Sequence, residues 1–323
     1  MNKNSLIYVP GHTGLVGSAL VRTLRSQGYN NLLVRTSREL DLREQAAVRR
    51  FFAEHRPEYV FLAAAKVGGI LANRDYPADF IAQNLAIQMN TIEAAYATGV
   101  KRLLFLGSSC IYPRCAPQPL KEEYLLTGPL EFTNRPYAVA KIAGIETCWA
   151  FNRQYGTSYL AVMPANLYGP GDNYDLATSH VLPALIRKVA EAMTQGEKEV
   201  VVWGTGSARR EFLYSDDMAD ACVFLLNLEE AAFASLAHRH DHPPLVNIGT
   251  GEDLTIRGLA ELICDILGFS GNLVFDSSKP EGTERKLLDV SLLRDLGWKP
   301  RVNMRQGIAA AYADFRRRFR FVS

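Results

Sequence analysis

The stretch "GHTGLVG", residues 11–17, lies between an apolar run, "LIYV" at 6–9, and a segment in which Leu20, Val21 and Leu24 recur at helical spacing. Gly11, Gly14 and Gly17 therefore stand where a strand turns into a helix. Glycines there allow a tight turn, a close approach of backbone to a pyrophosphate, and close packing of helix on strand. The helix N-terminus attracts the anion. The context predicts a dinucleotide loop rather than a merely tight turn.

Further along, "NLLV" at 31–34, "YVFLAAA" at 59–65, "RLLFLGS" at 102–108 and "YLAVMPAN" at 159–166 repeat the pattern of apolar strands separated by helix-like segments. One such segment places Ile81, Leu85, Met89 and Ile92 on a common face. Continuous apolar strands between helices indicate a parallel sheet covered on both sides. After about residue 170 glycine and proline thicken and the strands become short: "VVVW" at 200–203, "LVNIG" at 245–249, "LVF" at 273–275. The expected class is α/β, a Rossmann-type doubly wound parallel sheet with a smaller, irregular C-terminal substrate lobe. The expected division is a cofactor domain at 1–170 and a lobe at 171–323, with later strands free to return to the first domain.

Composition narrows the function. In 323 residues, 48% hydrophobic, 36 Lys and Arg face 34 Asp and Glu with no long basic run, so nucleic acid is not an expected partner. No apolar run approaches the roughly 18 residues of a membrane span. The start "MNKNSLIYVP" lacks a signal-peptide layout. The five cysteines match neither a metal site nor a disulfide framework, and a cytoplasmic location is expected. "AHRHDHPP" at 237–244 holds three of the six histidines and reads as a solvated loop rather than a metal site. No metal ligands are expected.

The second strand ends "LVRTSREL" at 33–40. An NAD site usually carries an acid about 20 positions beyond the glycine loop, for the ribose 2′-hydroxyl. Here Arg35 and Arg38 occupy that region, which suits a 2′-phosphate and favours NADP(H); Asp41 is placed to meet the adenine. "RPYAVAKIAG" at 135–144 sets Tyr137 and Lys141 four apart, on one face of a helix that Pro136 opens. A phenol is a poor acid unless a neighbouring cation lowers its pKa, and Lys141 is the expected cation. Between loop and helix, "LFLGSSCIYP" at 104–113 ends a strand in Ser108, Ser109 and Cys110. On an extended chain, residues two apart point the same way, which would put Cys110 beside Ser108.

These residues resemble the extended short-chain dehydrogenase/reductase family over nearly the whole chain. The resemblance makes Ser108, Tyr137 and Lys141 a triad: Tyr137 exchanges the proton on the substrate oxygen, Ser108 shares that hydrogen bond, and Lys141 also holds the nicotinamide ribose. Members with a dehydratase step follow the triad Ser or Thr with Asp–Glu; here Ser109 and Cys110 follow. "AAAKVGGI" at 63–70, "YPADF" at 76–80, "NLYGPGDN" at 166–173 and "VVVWGTGSARREF" at 200–212 resemble the GDP-L-fucose synthase branch.

That branch implies a two-step reaction on GDP-4-keto-6-deoxy-D-mannose: epimerisation at carbons 3 and 5, then NADPH-dependent reduction of the 4-keto group. It assigns the acid–base work of epimerisation to positions matching Cys110 and His180. It places the cofactor against His12, Thr13, Leu15 and Val16 of the glycine loop, and against Leu42. From the later strands it adds Leu106, Gly107, Pro164, Asn166, Leu167 and His180. Thr13 stands where bacterial members often have arginine, and Arg38 is the expected compensating cation. Lys188, Trp203, Arg210 and Glu281 match substrate positions. A homodimer through helices near 78–98 and 137–155 is implied as well. Two other readings fit the sequence less well. A nucleotide-sugar 4-epimerase holding NAD is disfavoured by Arg35, Arg38 and the extra thiol. A cofactor-binding regulatory protein would need no proton-donating triad.

Overall fold

The computed structural model describes residues 1–279 and 283–319. The first half runs β1 (Ile7–Tyr8), α1 (Leu15–Ser26), β2 (Leu32–Leu33), α2 (Gln45–His55), β3 (Tyr59–Leu62), α3 (Ile70–Asp75), α4 (Pro77–Ala97), β4 (Arg102–Leu106), α5 (Arg135–Tyr155) and β5 (Tyr159–Pro164). The second half runs β6 (Asn166–Tyr168), α6 (Val181–Gln195), β7 (Glu199–Trp203), β8 (Arg209–Tyr214), α7 (Ser215–Leu226), α8 (Glu230–Ala237), β9 (Leu245–Ile248), β10 (Asp253–Thr255), α9 (Ile256–Leu267), β11 (Asn272–Asp276), β12 (Arg285–Lys286), α10 (Ser291–Asp295) and α11 (Met304–Phe319).

Six strands form one parallel sheet in the order β2-β1-β3-β4-β5-β9. The order reverses between β1 and β3, and in open α/β sheets the crevice at the carboxyl ends of such strands is where ligands bind. The crossover between these strands is tight at one point. Gly11 (φ +87°) follows β1, and a Cβ on it would lie 2.6 Å from the Ala64 nitrogen just past β3. A Cβ on Gly17 would lie 2.0 Å from the Gly11 carbonyl oxygen. The loop's glycines thus let α1 and the loop after β3 close on one turn.

The chain's second half serves two cores. α6, α9 and α11 bury Ile186, Val189, Leu259, Ile263, Ile308 and Phe315 against β7 and β8. In contrast, α7, α8 and β9 return to the first core with Met218, Cys222, Phe233 and Val246. Buried polar groups join the parts. Glu211 of β8, 1% exposed, accepts from the amides of Thr250 (2.6 Å), Gly251 (2.8 Å) and Leu288 (2.8 Å). Asn247 of β9 accepts from the Tyr112 hydroxyl and donates to the Leu120 and Asp289 carbonyls.

Helix α4 departs from its apolar pattern. Ile81, Leu85 and Met89 are only half-buried, whereas Asn84 and Gln88 are 2% exposed. Asn84 exchanges hydrogen bonds with the backbone of Lys66, Gln88 donates to the Ala140 carbonyl, and Asn90 to those of Leu42 and Arg43. Irregular backbone beside α4 needs partners, and amide side chains supply them. Among the described residues no helix is long and apolar enough to cross a membrane.

Gly17→Ala forces α1 off the glycine loop. Overpacking of this kind typically costs 1–3 kcal/mol, so fluorescence titration should find NADPH bound roughly 5- to 150-fold more weakly. An unchanged dissociation constant would show that the close approach does not shape the cofactor cradle.

Candidate active site

Strand β4 is buried along its whole length and delivers Ser108 to its carboxyl end in extended backbone. The chain then turns at once: residues Ser109–Ile111 form a single tight 3-10 turn. The alternation expected of an extended chain does not hold here. The turn, not a strand, brings the Cys110 sulfur to 3.3 Å from the Ser108 oxygen, to which the thiol donates.

Helix α5 supplies the facing groups. Pro136 stands in its first turn, and Glu131 precedes it, accepting from the amides of Thr133 and Asn134 and from the Thr133 hydroxyl. One turn apart, Tyr137 and Lys141 reach the end of β4. Tyr137 is hydrogen-bonded to Ser108, and its ring meets Phe80 of α4 edge-on at 5.9 Å. Lys141, 3% exposed, donates to the Leu106 carbonyl at 2.7 Å.

The electrostatics differ from the sequence expectation. Burial, followed by the nearby Cys110, pushes the Tyr137 phenol well above its ordinary pKa; the Ser108 hydrogen bond opposes this only in part. Lys141 donates one hydrogen bond to the Leu106 carbonyl, and desolvation brings its pKa down to about 8. In this arrangement the phenol stays protonated, as a proton donor to a carbonyl must be. Cys110 is 6% exposed; burial raises its pKa, while Lys286, the Ser108 contact and Lys141 pull it down.

A cradle for a dinucleotide opens on the same edge of the sheet. No side chain caps the first turn of α1, and no acid lies in it. Thr13 and Gly14 are exposed, Leu15 and Val16 half-buried, and the Nδ1 of His12 is buried without a partner. An uncapped helix start over a glycine turn fits a pyrophosphate. At the second strand Arg35 donates to the Val34 carbonyl and lies over the Phe51 ring at 5.6 Å, whereas Arg38 is exposed. Asp41 is paired with Arg43, and Leu42 is buried. Gly107 is filled in from behind: a Cβ there would lie 2.7 Å from the Met163 Cε. Pro164 ends β5 beside Ile248; Asn166 donates to the Glu211 carbonyl, and Leu167 pairs with Leu213.

The remaining candidates lie on the second lobe. His180 precedes α6 at the capping position, yet its ring makes no capping bond. Desolvation by surrounding protein lowers its pKa although the side chain retains accessible surface. Its loop is tied to the triad region: the Gly69 amide donates to the Thr178 carbonyl at 3.3 Å, and neighbouring Gly68 packs on the same Phe80 ring that meets Tyr137. Lys188 donates to the Val201 carbonyl and sits 5.4 Å from the centre of the Trp203 ring, which is 42% exposed. Arg210 donates to the Arg209 carbonyl and acts on Lys286. Glu281 lies outside the described residues. Glu131, whose carboxylate holds the turn that leads into α5, belongs to no motif and is recognisable only once the chain is folded.

Residues 7–249 match the NAD dependent epimerase/dehydratase family. GDP-L-fucose synthase 1 of Arabidopsis thaliana is 56% identical over 311 residues, covering 96% of this chain and 93% of its own. GDP-L-fucose synthase of Escherichia coli (strain K12) is 51% identical, covering 96% of each. Among solved structures, a GDP-D-glycero-L-gluco-heptose synthase from Campylobacter jejuni, in the presence of NADPH, superposes with a TM-score of 0.90. It is 40% identical and covers 98% of this chain and 99% of its own.

Tyr137→Phe deletes the phenol that faces Ser108 and keeps the ring against Phe80. A positioned general acid contributes about 10² to 10⁴ in rate. Carbonyl reduction, followed as NADPH oxidation, should fall by that factor while NADPH affinity stays within a few-fold. Near-native oxidation by the variant would remove Tyr137 from the chemistry.

Proposed function

The chain belongs to the NAD dependent epimerase/dehydratase family, and we infer that it works there as its GDP-L-fucose synthase relatives do. It takes GDP-4-keto-6-deoxy-D-mannose, inverts carbons 3 and 5, and reduces the 4-keto group to give GDP-L-fucose. NADPH, when bound, supplies the hydride to carbon 4. The observation that carries the two-step reading is the thiol of Cys110 at 3.3 Å from Ser108, at the strand end that also faces Tyr137. A reductase alone has no use for a second acid–base group there.

Ser108 and Tyr137 hold the substrate's 4-oxygen, and Tyr137 gives it a proton during reduction. Lys141, fixed on the Leu106 carbonyl, orients the helix turn and faces the nicotinamide ribose. For epimerisation the same 4-oxygen takes up the charge of an enolate, so the donors used in reduction also stabilise the intermediate. Cys110 removes the proton from carbon 3 or 5 and His180 returns one from the opposite face. Residues His12 to Gly17 receive the pyrophosphate, and the exposed Arg38 is free to pair with the 2′-phosphate, since Arg35 is committed to its own backbone. The lobe built mainly from 171–323 takes the nucleotide, with Trp203 as a stacking face and Lys188 and Arg210 as cations for the diphosphate.

We further infer a homodimer through α4 and α5. The half-buried stripe of Ile81, Leu85 and Met89, the exposed Val139, and the aromatic cluster of Tyr96, Phe151 and Tyr155 offer an apolar surface on these two helices.

Cys110→Ser tests the thiol. Serine keeps the shape, but a hydroxyl is rarely ionised at neutral pH. In deuterated water the variant should incorporate solvent deuterium at carbons 3 and 5 at least about 10²-fold more slowly than wild type. His180→Asn should still exchange deuterium yet invert poorly, because deprotonation survives and delivery from the other face does not. Full exchange by Cys110→Ser would make the thiol a packing residue.

A further inference from the structure

Two connections leave the parallel sheet for the second lobe. β5 runs through Ala165 into β6, and β9 runs through Gly249, Thr250 and Gly251 towards β10. The Ala165 amide donates to the Ile248 carbonyl at 2.9 Å, so the two lie side by side. Both are caught by Glu211 of β8. Its carbonyl accepts from the Asn166 side chain of β6 at 2.8 Å. One carboxylate oxygen accepts from the amides of Thr250 at 2.6 Å and Gly251 at 2.8 Å. The other accepts from the Leu288 amide, just past β12, at 2.8 Å.

The same residue fixes the strands on either side of it. β8 lies between β10 and β12, with Asp253 opposite Glu211, and Arg285 and Lys286 opposite Arg209 and Arg210. Asp253 accepts from both Arg209 and Arg285 and closes the three strands on one another. Successive side chains of a strand point to opposite faces, so a carboxylate turned into the junction turns Arg210 the other way. The junction has no slack. Glu211 is 1% exposed, and a Cβ on Gly249 would lie 2.1 Å from its Oε1. Both carboxylate oxygens act as acceptors. A glutamine has one oxygen, and in either orientation its amide nitrogen would face an N–H donor.

We propose that Glu211 is the positioning residue of substrate register: it sets how far the Arg210 anchor of the second lobe stands from the reacting end of β4. This rests on the reading of Arg210 as a cation for the diphosphate. Ser108, Cys110 and Tyr137 belong to the parallel sheet and the helix packed on it, whereas Arg210 belongs to β8. A nucleotide sugar gripped at its diphosphate presents a different carbon for each shift of β8 along the sheet edge. One grip has to bring carbon 4 to Tyr137 and carbons 3 and 5 to Cys110. Glu211 ties β8 to the exits of β5 and β9 and to the end of β12 at the position next to Arg210, so the strand cannot slide.

The test sets Glu211→Gln and Gly249→Ala beside wild type. The first removes an acceptor; the second drives a methyl group against the carboxylate and leaves its charge. Each rate is divided by the NADPH sites titrated in the same sample, so unfolded molecules do not count, and Gly249→Ala carries the test where Glu211→Gln does not fold. A misplacement of about 1 Å at the reacting atoms costs on the order of 10²-fold, so kcat should fall at least about tenfold in both variants. Deuterium exchange at carbons 3 and 5 and NADPH oxidation should fall together, because both use one bound sugar. The dissociation constants of GDP and NADPH should stay within a few-fold, since Arg210, Trp203 and the glycine loop are untouched. An unchanged kcat per site with a lowered melting temperature would overturn the proposal and leave Glu211 a stabilising group only. Loss of oxidation with exchange intact would place the defect on the cofactor side and overturn it, and so would a joint loss of GDP and NADPH affinity. Arg210→Ala, expected to weaken GDP about tenfold or more, checks the anchor separately. Unchanged GDP affinity there would overturn the reading of Arg210, whatever the Glu211 and Gly249 variants show, and the two failures are told apart.

Discussion

The Lys141 ammonium, sealed beneath α5, donates to the Leu106 carbonyl at the last residue of β4. A buried cation is costly unless its hydrogen bonds are made, so this bond fixes the rotation of α5 against the strand. Other contacts agree with it. Gly144 leaves room for the Phe105 ring one turn further on, and Gln88 of α4 donates to the Ala140 carbonyl. With α5 so fixed, Tyr137 meets Ser108, and the turn after Ser108 carries Cys110 into the same space. A rotation of α5 by a fraction of a turn would dissolve the site while leaving the sheet intact.

Burial favours the neutral forms of three groups in the site. Burial raises Tyr137 and Cys110 toward phenol and thiol, and lowers His180 toward neutral imidazole. That suits reduction, where Tyr137 must hold a proton to give. Epimerisation needs the opposite pair, thiolate and imidazolium, which burial disfavours. One pocket therefore has to satisfy two chemistries with conflicting protonation demands. The junction built on Glu211 and Asn247, where β8, β9 and the 118–120 segment meet, ties the second lobe to the sheet that carries the site.

What the sequence revealed tracks how local each feature is. The glycine loop was legible because a strand, a turn and a helix within a dozen residues demand glycine at two crowded points. The Tyr137–Lys141 pair was legible because helical spacing alone puts both on one face. The parallel sheet followed from runs of buried apolar residues. The buried face of α4 was not legible: Asn84, Gln88 and Asn90 go inside to satisfy backbone groups of loops that periodicity does not see. The tight turn at Cys110 defeated an argument from strand alternation. The direction of the Tyr137 shift is opposite to that expected because burial, with Cys110 nearby, dominates at the phenol.

The central claim is that one strand end performs two proton transfers to carbon and one reduction on a single bound sugar. The direct measurement runs wild-type enzyme on GDP-4-keto-6-deoxy-D-mannose in deuterated water with unlabelled NADPH, and reads the product by NMR and mass spectrometry. The expected product is GDP-L-fucose with solvent deuterium at carbons 3 and 5 and protium from the cofactor at carbon 4. A reduced product that keeps the original configuration and carries no deuterium at carbons 3 and 5 would contradict it.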